Sequence, residues 1–193
     1  MKGFLICGLA FVFAACGSSD QKPAEATLPQ VPLAKSANSP VFNASFEEVL
    51  TQYFTLGNGL VAEDDSLIAQ SGRALLKATD SLKLDSLKAD TLIITTAQTY
   101  ASGISSEVMG LLGEQDLAGK RKSFQIISNQ LYDLVRTVQY DRQVIYHYYC
   151  ASSFNDQGAG WLTNIRQVRN PYIPKKMISC GELKDSLDFR IKP

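Results

Sequence analysis

The chain is short of the side chains that most enzymes use for chemistry. It holds one histidine, one tryptophan and three methionines in 193 residues. A lone histidine excludes the paired-histidine zinc motifs, and no Walker loop, nucleophile elbow or dinucleotide-binding glycine fingerprint is present. Neither sign of charge is in excess, with 19 Lys+Arg against 19 Asp+Glu. That balance gives no electrostatic pull toward polyanions, so nucleic acid is not an expected partner. Charged residues make up 20% and hydrophobic ones 45%, the balance of an ordinary globular protein with one substantial core.

The apolar run at the N-terminus, Gly3 to Ala15, is too short to span a bilayer. After Met1 and Lys2, with small residues at its end, it reads as a secretory leader. The sequence Phe13-Ala14-Ala15-Cys16 has the form of a lipobox, which makes Cys16 a lipidated N-terminus after cleavage. The plainer reading is an ordinary signal peptide with a cysteine at the cut. Cys7 would be discarded with the leader. Residues 17–41 contain four prolines among Ser, Ala and scattered charge, a composition that cannot bury enough apolar surface to fold and so predicts a tether. A lipid anchor followed by a tether fits a Gram-negative envelope lipoprotein, on the periplasmic side or the surface of the outer membrane. The compartment is oxidising.

From Phe42 the spacing becomes helical. Phe46, Val49, Leu50, Tyr53, Phe54, Leu60 and Val61 recur at steps of three and four, and Ser45 to Glu48 has the S-x-x-E capping pattern. Gly57 and Gly59 leave two ends open, one near Gly57 and one at Ala62. Glu63 to Ser66 caps a second helix, whose stripe runs Leu67, Ile68, Ser71, Ala74, Leu75, Ala78, Leu82. Lys83 to Asp90 reads as a polar link. A third helix carries Leu92, Ile93, Ala97, Tyr100, Ala101, Ile104, Val108, Leu111 and Leu112, and a fourth, capped by Asp116, carries Leu117, Phe124, Ile127, Leu131, Leu134 and Val138. Tyr53, Tyr100, Met109 and Phe124 are read as core packing. Short links require neighbouring helices to run antiparallel, as in an up-down bundle.

After Gln139 the period changes to two. Gln143 to Cys150 predicts a strand with Val144, Tyr146, Tyr148 and Cys150 on one face and Ile145, His147 and Tyr149 on the other. Asn155 to Gly158 predicts a turn, Trp161 to Val168 a short element containing one helical turn, and Met177 to Leu183 a second strand that returns Cys180 toward Cys150. DSLDFRIKP, at the end, reads as an edge segment.

The two remaining cysteines admit three readings. Exported thiols usually pair, and a disulfide between Cys150 and Cys180 would close a loop of about 30 residues, worth about 3–4 kcal/mol. Thiolate, thioether and imidazole from Cys150, Cys180, Met177 and His147 would instead suit copper or zinc. On a flat strand, however, His147 and Cys150 face opposite ways, and only a bulge or turn brings them together. Cys150 acting as a nucleophile with His147 as base lacks an orienting third group. Arg166, Arg169, Lys175 and Lys176 read as a solvated face. Trp161, Arg169, Asn170 and Tyr172 form the candidate ligand or interaction surface, with Arg169, beside Asn170-Pro171-Tyr172, able to clamp a carboxylate or an opposing loop.

The pattern Tyr146-x-x-x-Cys150, Phe154-Asn155, Gly158-Ala159-x-Trp161-Leu162, Arg169-Asn170-Pro171-Tyr172, Met177-x-x-Cys180-Gly181 resembles an uncharacterised domain of Gram-negative envelope lipoproteins. That domain occurs alone or fused to periplasmic adaptor subunits of heavy-metal efflux pumps. Tyr53-Phe54-x-Leu56, Ala62-x-Asp64, Arg121-x-x-Phe124 and Ser128 fit the same family, so the resemblance covers most of 42–187. It implies handling of copper or a related soft ion, beside metal-efflux components. The chain departs from the family where Cys-Pro-Met-Ala is replaced by Cys150-Ala151-Ser152-Ser153, which removes a thioether at Ser152, and where a glycine is replaced by Pro174.

The expected protein has a leader (1–16), a tether (17–41), an antiparallel four-helix up-down bundle (42–140) and a small β-hairpin-like module (141–193). The expected role is a lipid-anchored binding or accessory one in metal handling, without catalysis. The alternative is a structural or protein-interaction module whose cysteines are a staple and which takes no metal.

Overall fold

The computed structural model describes residues 38–190. The leader, Cys16 and nearly all of the tether lie outside the described residues. Within them the protein is mainly helical, with four long helices followed by a small antiparallel sheet of three strands. No helix among the described residues is long and apolar enough to cross a membrane.

Helix α1 spans Pro40–Ala62 and runs unbroken through both glycines. Its cap is Ser39 rather than Ser45: Ser39 Oγ accepts from Phe42 N at 3.1 Å, and Pro40 supplies the fixed φ of the first turn. Ser45 lies further in and accepts from Lys83 N at 3.2 Å, tying the later link to α1. Glu63 ends α1 in the left-handed region at φ 56°, with its N–H bonded back to Gly59 O. Asp64 then caps α2, Asp65–Asp80, by accepting from Leu67 N at 3.0 Å.

The segment read as a polar link supplies core instead. A short 3-10 turn, Leu84–Ser86, buries Leu84 and Leu87 against the helices. Asp90 caps α3, Thr91–Gly113, and Asp116 caps α4, Leu117–Val138. Tyr53 and Phe124 are core residues as the stripes predicted, but Leu92 and Met109 are exposed, 76% and 56%. Each long helix packs on the next in sequence, and α4 also packs on the sheet.

The strands are β1 (Ile145–Cys150), β2 (Ala159–Thr163) and β3 (Glu182–Leu187), in the order β2-β1-β3. Two sequence expectations are corrected here. Trp161 opens no helical turn but sits in β2, opposite Tyr148 of β1. The second predicted strand begins later, because Pro174–Met177 form a single helical turn and the ladder starts at Glu182. The final segment is an edge as expected, with Asp185 to Leu187 completing β3.

Between β1 and β2 the chain makes a turn at Ser153–Asp156 with the wrong hand. Phe154, Asn155 and Asp156 have φ of 53°, 55° and 65°, and Gly158 N closes the turn on Ser153 O at 2.9 Å. Left-handed residues other than glycine cost about 1–2 kcal/mol each. Neighbouring packing offsets that cost: the Phe154 ring lies 5.3 Å from that of Tyr172.

Cys150 and Cys180 are bonded, at the end of β1 and just before β3. The bridge encloses β2, the left-handed turn and the loop after β2. Substituting Cys150→Ser together with Cys180→Ser is expected to destabilise the oxidised protein by about 3–4 kcal/mol. Urea unfolding of both forms, with and without reductant, checks this; the double variant should be indifferent to reductant.

Candidate functional site

The sheet meets the helices along the outer edge of β2, where backbone groups have no strand partner. Leu162 N donates to Tyr53 Oη at 3.0 Å, and Tyr53 Oη lies 2.6 Å from Ser128 Oγ. Ser128 Oγ in turn donates to Phe124 O at 2.7 Å. With that proton committed, the Tyr53 hydroxyl donates to Ser128 and accepts from Leu162, so all three groups are satisfied. Two positions along, Tyr172 Oη donates to Gly160 O at 2.5 Å. Burial pushes the hydroxyls of Tyr53 and Tyr172 well above the ordinary tyrosine range, and both stay protonated donors. Tyr53→Phe removes the acceptor of Leu162 N and the donor to Ser128. A loss of about 1–3 kcal/mol is expected, and Ser128→Ala should add little in the Tyr53→Phe background, measured as a double-mutant cycle by chemical denaturation.

The loop after β2 is held by Asn170, which is fully buried. Its Oδ1 accepts from Tyr172 N at 2.7 Å and Ile173 N at 3.1 Å, and its Nδ2 donates to Cys180 O at 2.9 Å. Asn170 and Tyr172, expected on an interaction surface, are therefore interior: one is the knot of the loop and the other its plug into β2. Trp161 is 4% exposed and packs on Tyr148, with ring centroids 5.8 Å apart. Arg169 alone of the four is exposed.

A latch that sequence reasoning missed fixes the same loop to α1. Arg121 Nε donates to Pro171 O at 2.8 Å, while its Nη2 donates to Leu60 O at 3.2 Å and Glu63 Oε1 at 3.1 Å. Lys175 pairs with the other oxygen of Glu63. The hydrogen bonds from Lys175 and then Arg121 hold the Glu63 carboxyl below its ordinary 4.5, against a smaller opposing effect of burial. A depressed folded-state value means stability that is present above about pH 4.5 and lost as acid carries the pH down through that value. Denaturation midpoints between about pH 3 and pH 7 should fall in acid, and Glu63→Gln should flatten part of that fall. Of the cations read as a solvated face, Arg166 is also engaged: its Nε donates to Tyr146 Oη at 3.2 Å and its carbonyl accepts from Tyr148 Oη at 2.8 Å.

The donor set for copper or zinc does not fit. The two sulfurs are bonded to each other, so neither is a thiolate. The register of β1 against β2 is continuous from Tyr146 to Cys150, and His147 and Cys150 therefore face opposite ways. The one irregularity falls on the partner: His147 pairs with Asp185 and Tyr148 with Leu183, which leaves Lys184 as the bulge of β3 and β1 itself flat. His147 lies under α4 instead, its ring 4.6 Å from that of Tyr132, whose hydroxyl donates to Asp185 Oδ2 at 2.8 Å. Burial lowers the His147 pKa, partly opposed by Asp185. Gly160 gives His147 its room, since a Cβ there would collide with Nε2. Met177 sits 46% exposed on its turn. Among the described residues no three of His, Cys, Asp and Glu converge as metal ligands. The Cys150 nucleophile reading has the same obstacle, because the sulfur is already bonded and its base is on the other face.

A small cleft lies between α1 and the loop after β2. Phe54, Val61, Phe124 and Trp161 form its apolar walls, and Asn58, Asn164, Gln167 and Arg169 its polar ones. The space inside is about 60 Å³.

Residues 49–143 match the model of a family described as protein of unknown function (DUF3347). The match starts inside α1 and stops just before β1, so the similarity to this domain of unknown function lies over the helices. No curated protein and no solved structure matches the chain.

Proposed function

We infer that the protein is a lipid-anchored accessory module of the cell envelope that works by holding a partner, without catalysis. Four helices running up and down form a passive pedestal, and the disulfide-stapled segment is the part presented for recognition. The observation that carries this reading is the bonded Cys150 and Cys180 pair, with His147 on the opposite face of β1. The same cysteines that would anchor a soft ion are used to close the loop, and the remaining donors are apart. The envelope address rests on the leader, the lipobox at Cys16 and the tether. The link to heavy-metal handling rests on the resemblance to domains fused to efflux adaptors, and in this reading the module works beside such components, outside the path of the ion.

A titration separates this from ion binding by the module itself. The oxidised protein is expected to take up neither copper nor zinc stoichiometrically by calorimetry, and His147→Ala should change nothing. Tight uptake by the oxidised protein that disappears in His147→Ala would sink the reading.

A further inference from the structure

The cleft beside α1 is unlike a cofactor or drug-sized site, because its roughly 60 Å³ is too small. A single water needs about 10–15 Å³ on this measure, so there is room for about four or five heavy atoms. That is the tip of one side chain. The floor suits an aliphatic group, being made by Phe54, Val61, Phe124 and Trp161.

The rim asks for something else. Arg169 lines the cleft, is exposed, and has no hydrogen bond or ion pair among the described residues. Its neighbours in the sequence differ in this respect, since Arg166 and Lys175 are both committed to protein partners. The side-chain amides of Asn58, Asn164 and Gln167 around the same cleft are likewise without a hydrogen-bond partner among the described residues. An uncommitted guanidinium ringed by amide donors complements a carboxylate, for which its planar fork is suited.

The sheet restricts how a partner can reach the cleft. The outer edge of β2 is plugged by Tyr53 and Tyr172, so an incoming chain cannot add as a further strand beside it. It must present one residue end-on. A chain-terminal aliphatic residue does this with a single unit, since its side chain fills the apolar space while its own carboxylate reaches the rim.

We propose that the cleft between α1 and the loop after β2 captures the free C-terminal aliphatic residue of a polypeptide partner, with Arg169 binding the carboxylate and Phe54, Val61 and Trp161 holding the side chain. The inference rests on the reading of the protein as an interaction module. It narrows that reading to one surface and one chemistry.

Trp161 is the only tryptophan in the chain, so its fluorescence reports on this cleft directly. The folded, oxidised domain is titrated with three peptides: acetyl-glycyl-glycyl-leucine as the free acid, the same peptide as its amide, and an amidated peptide with leucine followed by an internal aspartate. The free acid is expected to shift the emission saturably at millimolar concentration, with the amide at least about tenfold weaker. Arg169→Gln should remove the difference between acid and amide, and Arg169→Lys, which keeps the charge but not the fork, should restore part of it. Unchanged thermal unfolding of both variants shows that the fold survives. Equal binding of acid and amide, retention of the preference in Arg169→Gln, or no response to any peptide overturns the proposal. Binding of the internal aspartate peptide as tightly as the free acid overturns the terminal carboxylate in favour of an acidic segment. None of these results bears on the ion titration, so failure here leaves the broader accessory reading standing, and tight ion uptake there would remove that reading whatever the peptides do.

Discussion

A tyrosine hydroxyl wedged between a helix and the border of a sheet governs the architecture. Strand β2 turns its unpaired edge inward, where water cannot satisfy Leu162 N or Gly160 O, and a buried backbone group without a partner costs about as much as a lost hydrogen bond. Tyr53 from α1 and Tyr172 from the loop supply those partners. Once that is required, much else follows. Ser128 must stand where it can receive the Tyr53 proton, Asn170 must fold the loop so that Tyr172 points back at β2, and Arg121 must hold Pro171 against the end of α1. The aromatic rings complete the junction, with Tyr53 and Phe124 stacked at 4.9 Å.

The disulfide belongs to the same design. It bonds two points that the β1 and β3 ladder already brings close, so its effect falls on the segment between them: β2, the left-handed turn and the Asn170 loop. A turn of three left-handed residues and a loop with little regular structure are expensive to order. Restricting the unfolded chain offsets part of that cost. The staple therefore sustains a shape around the cleft that local preferences would not keep by themselves.

Much of this was legible in the sequence, and what was not has physical causes. The helices were readable because apolar spacing and acidic caps agree, as at Asp64 and Asp116. The strand at Tyr146 was readable because aromatic and β-branched residues crowd together there, and the pairing of Cys150 with Cys180 was one of three readings that the two cysteines admitted. Strand β2 was missed because Ala159-Gly160-Trp161-Leu162 has weak strand preference, and only its pairing to β1 and the two tyrosine plugs make it one. Leu84 and Leu87 were missed because isolated leucines among Lys and Asp show no period. Asn170 and Tyr172 read as surface in the sequence because polar residues next to a proline usually are; their burial depends on partners in Cys180 and Gly160, which no local window contains. The Arg121 and Glu63 latch joins residues 58 apart in the chain, beyond the reach of pattern reading altogether.

That long reach bears on the order of assembly. Each helix meets its successor, so helical hairpins close over short stretches of chain as soon as they are made. The Tyr53 to Leu162 bond spans 109 residues and cannot exist until nearly the whole sequence has arrived. A chain that emerges N-terminus first therefore carries a finished set of helices with an unfilled socket, waiting for its cap. Truncation between α4 and β2 would leave that socket open, and the helices would carry a sticky aromatic face around Tyr53 and Phe124 that the folded protein buries.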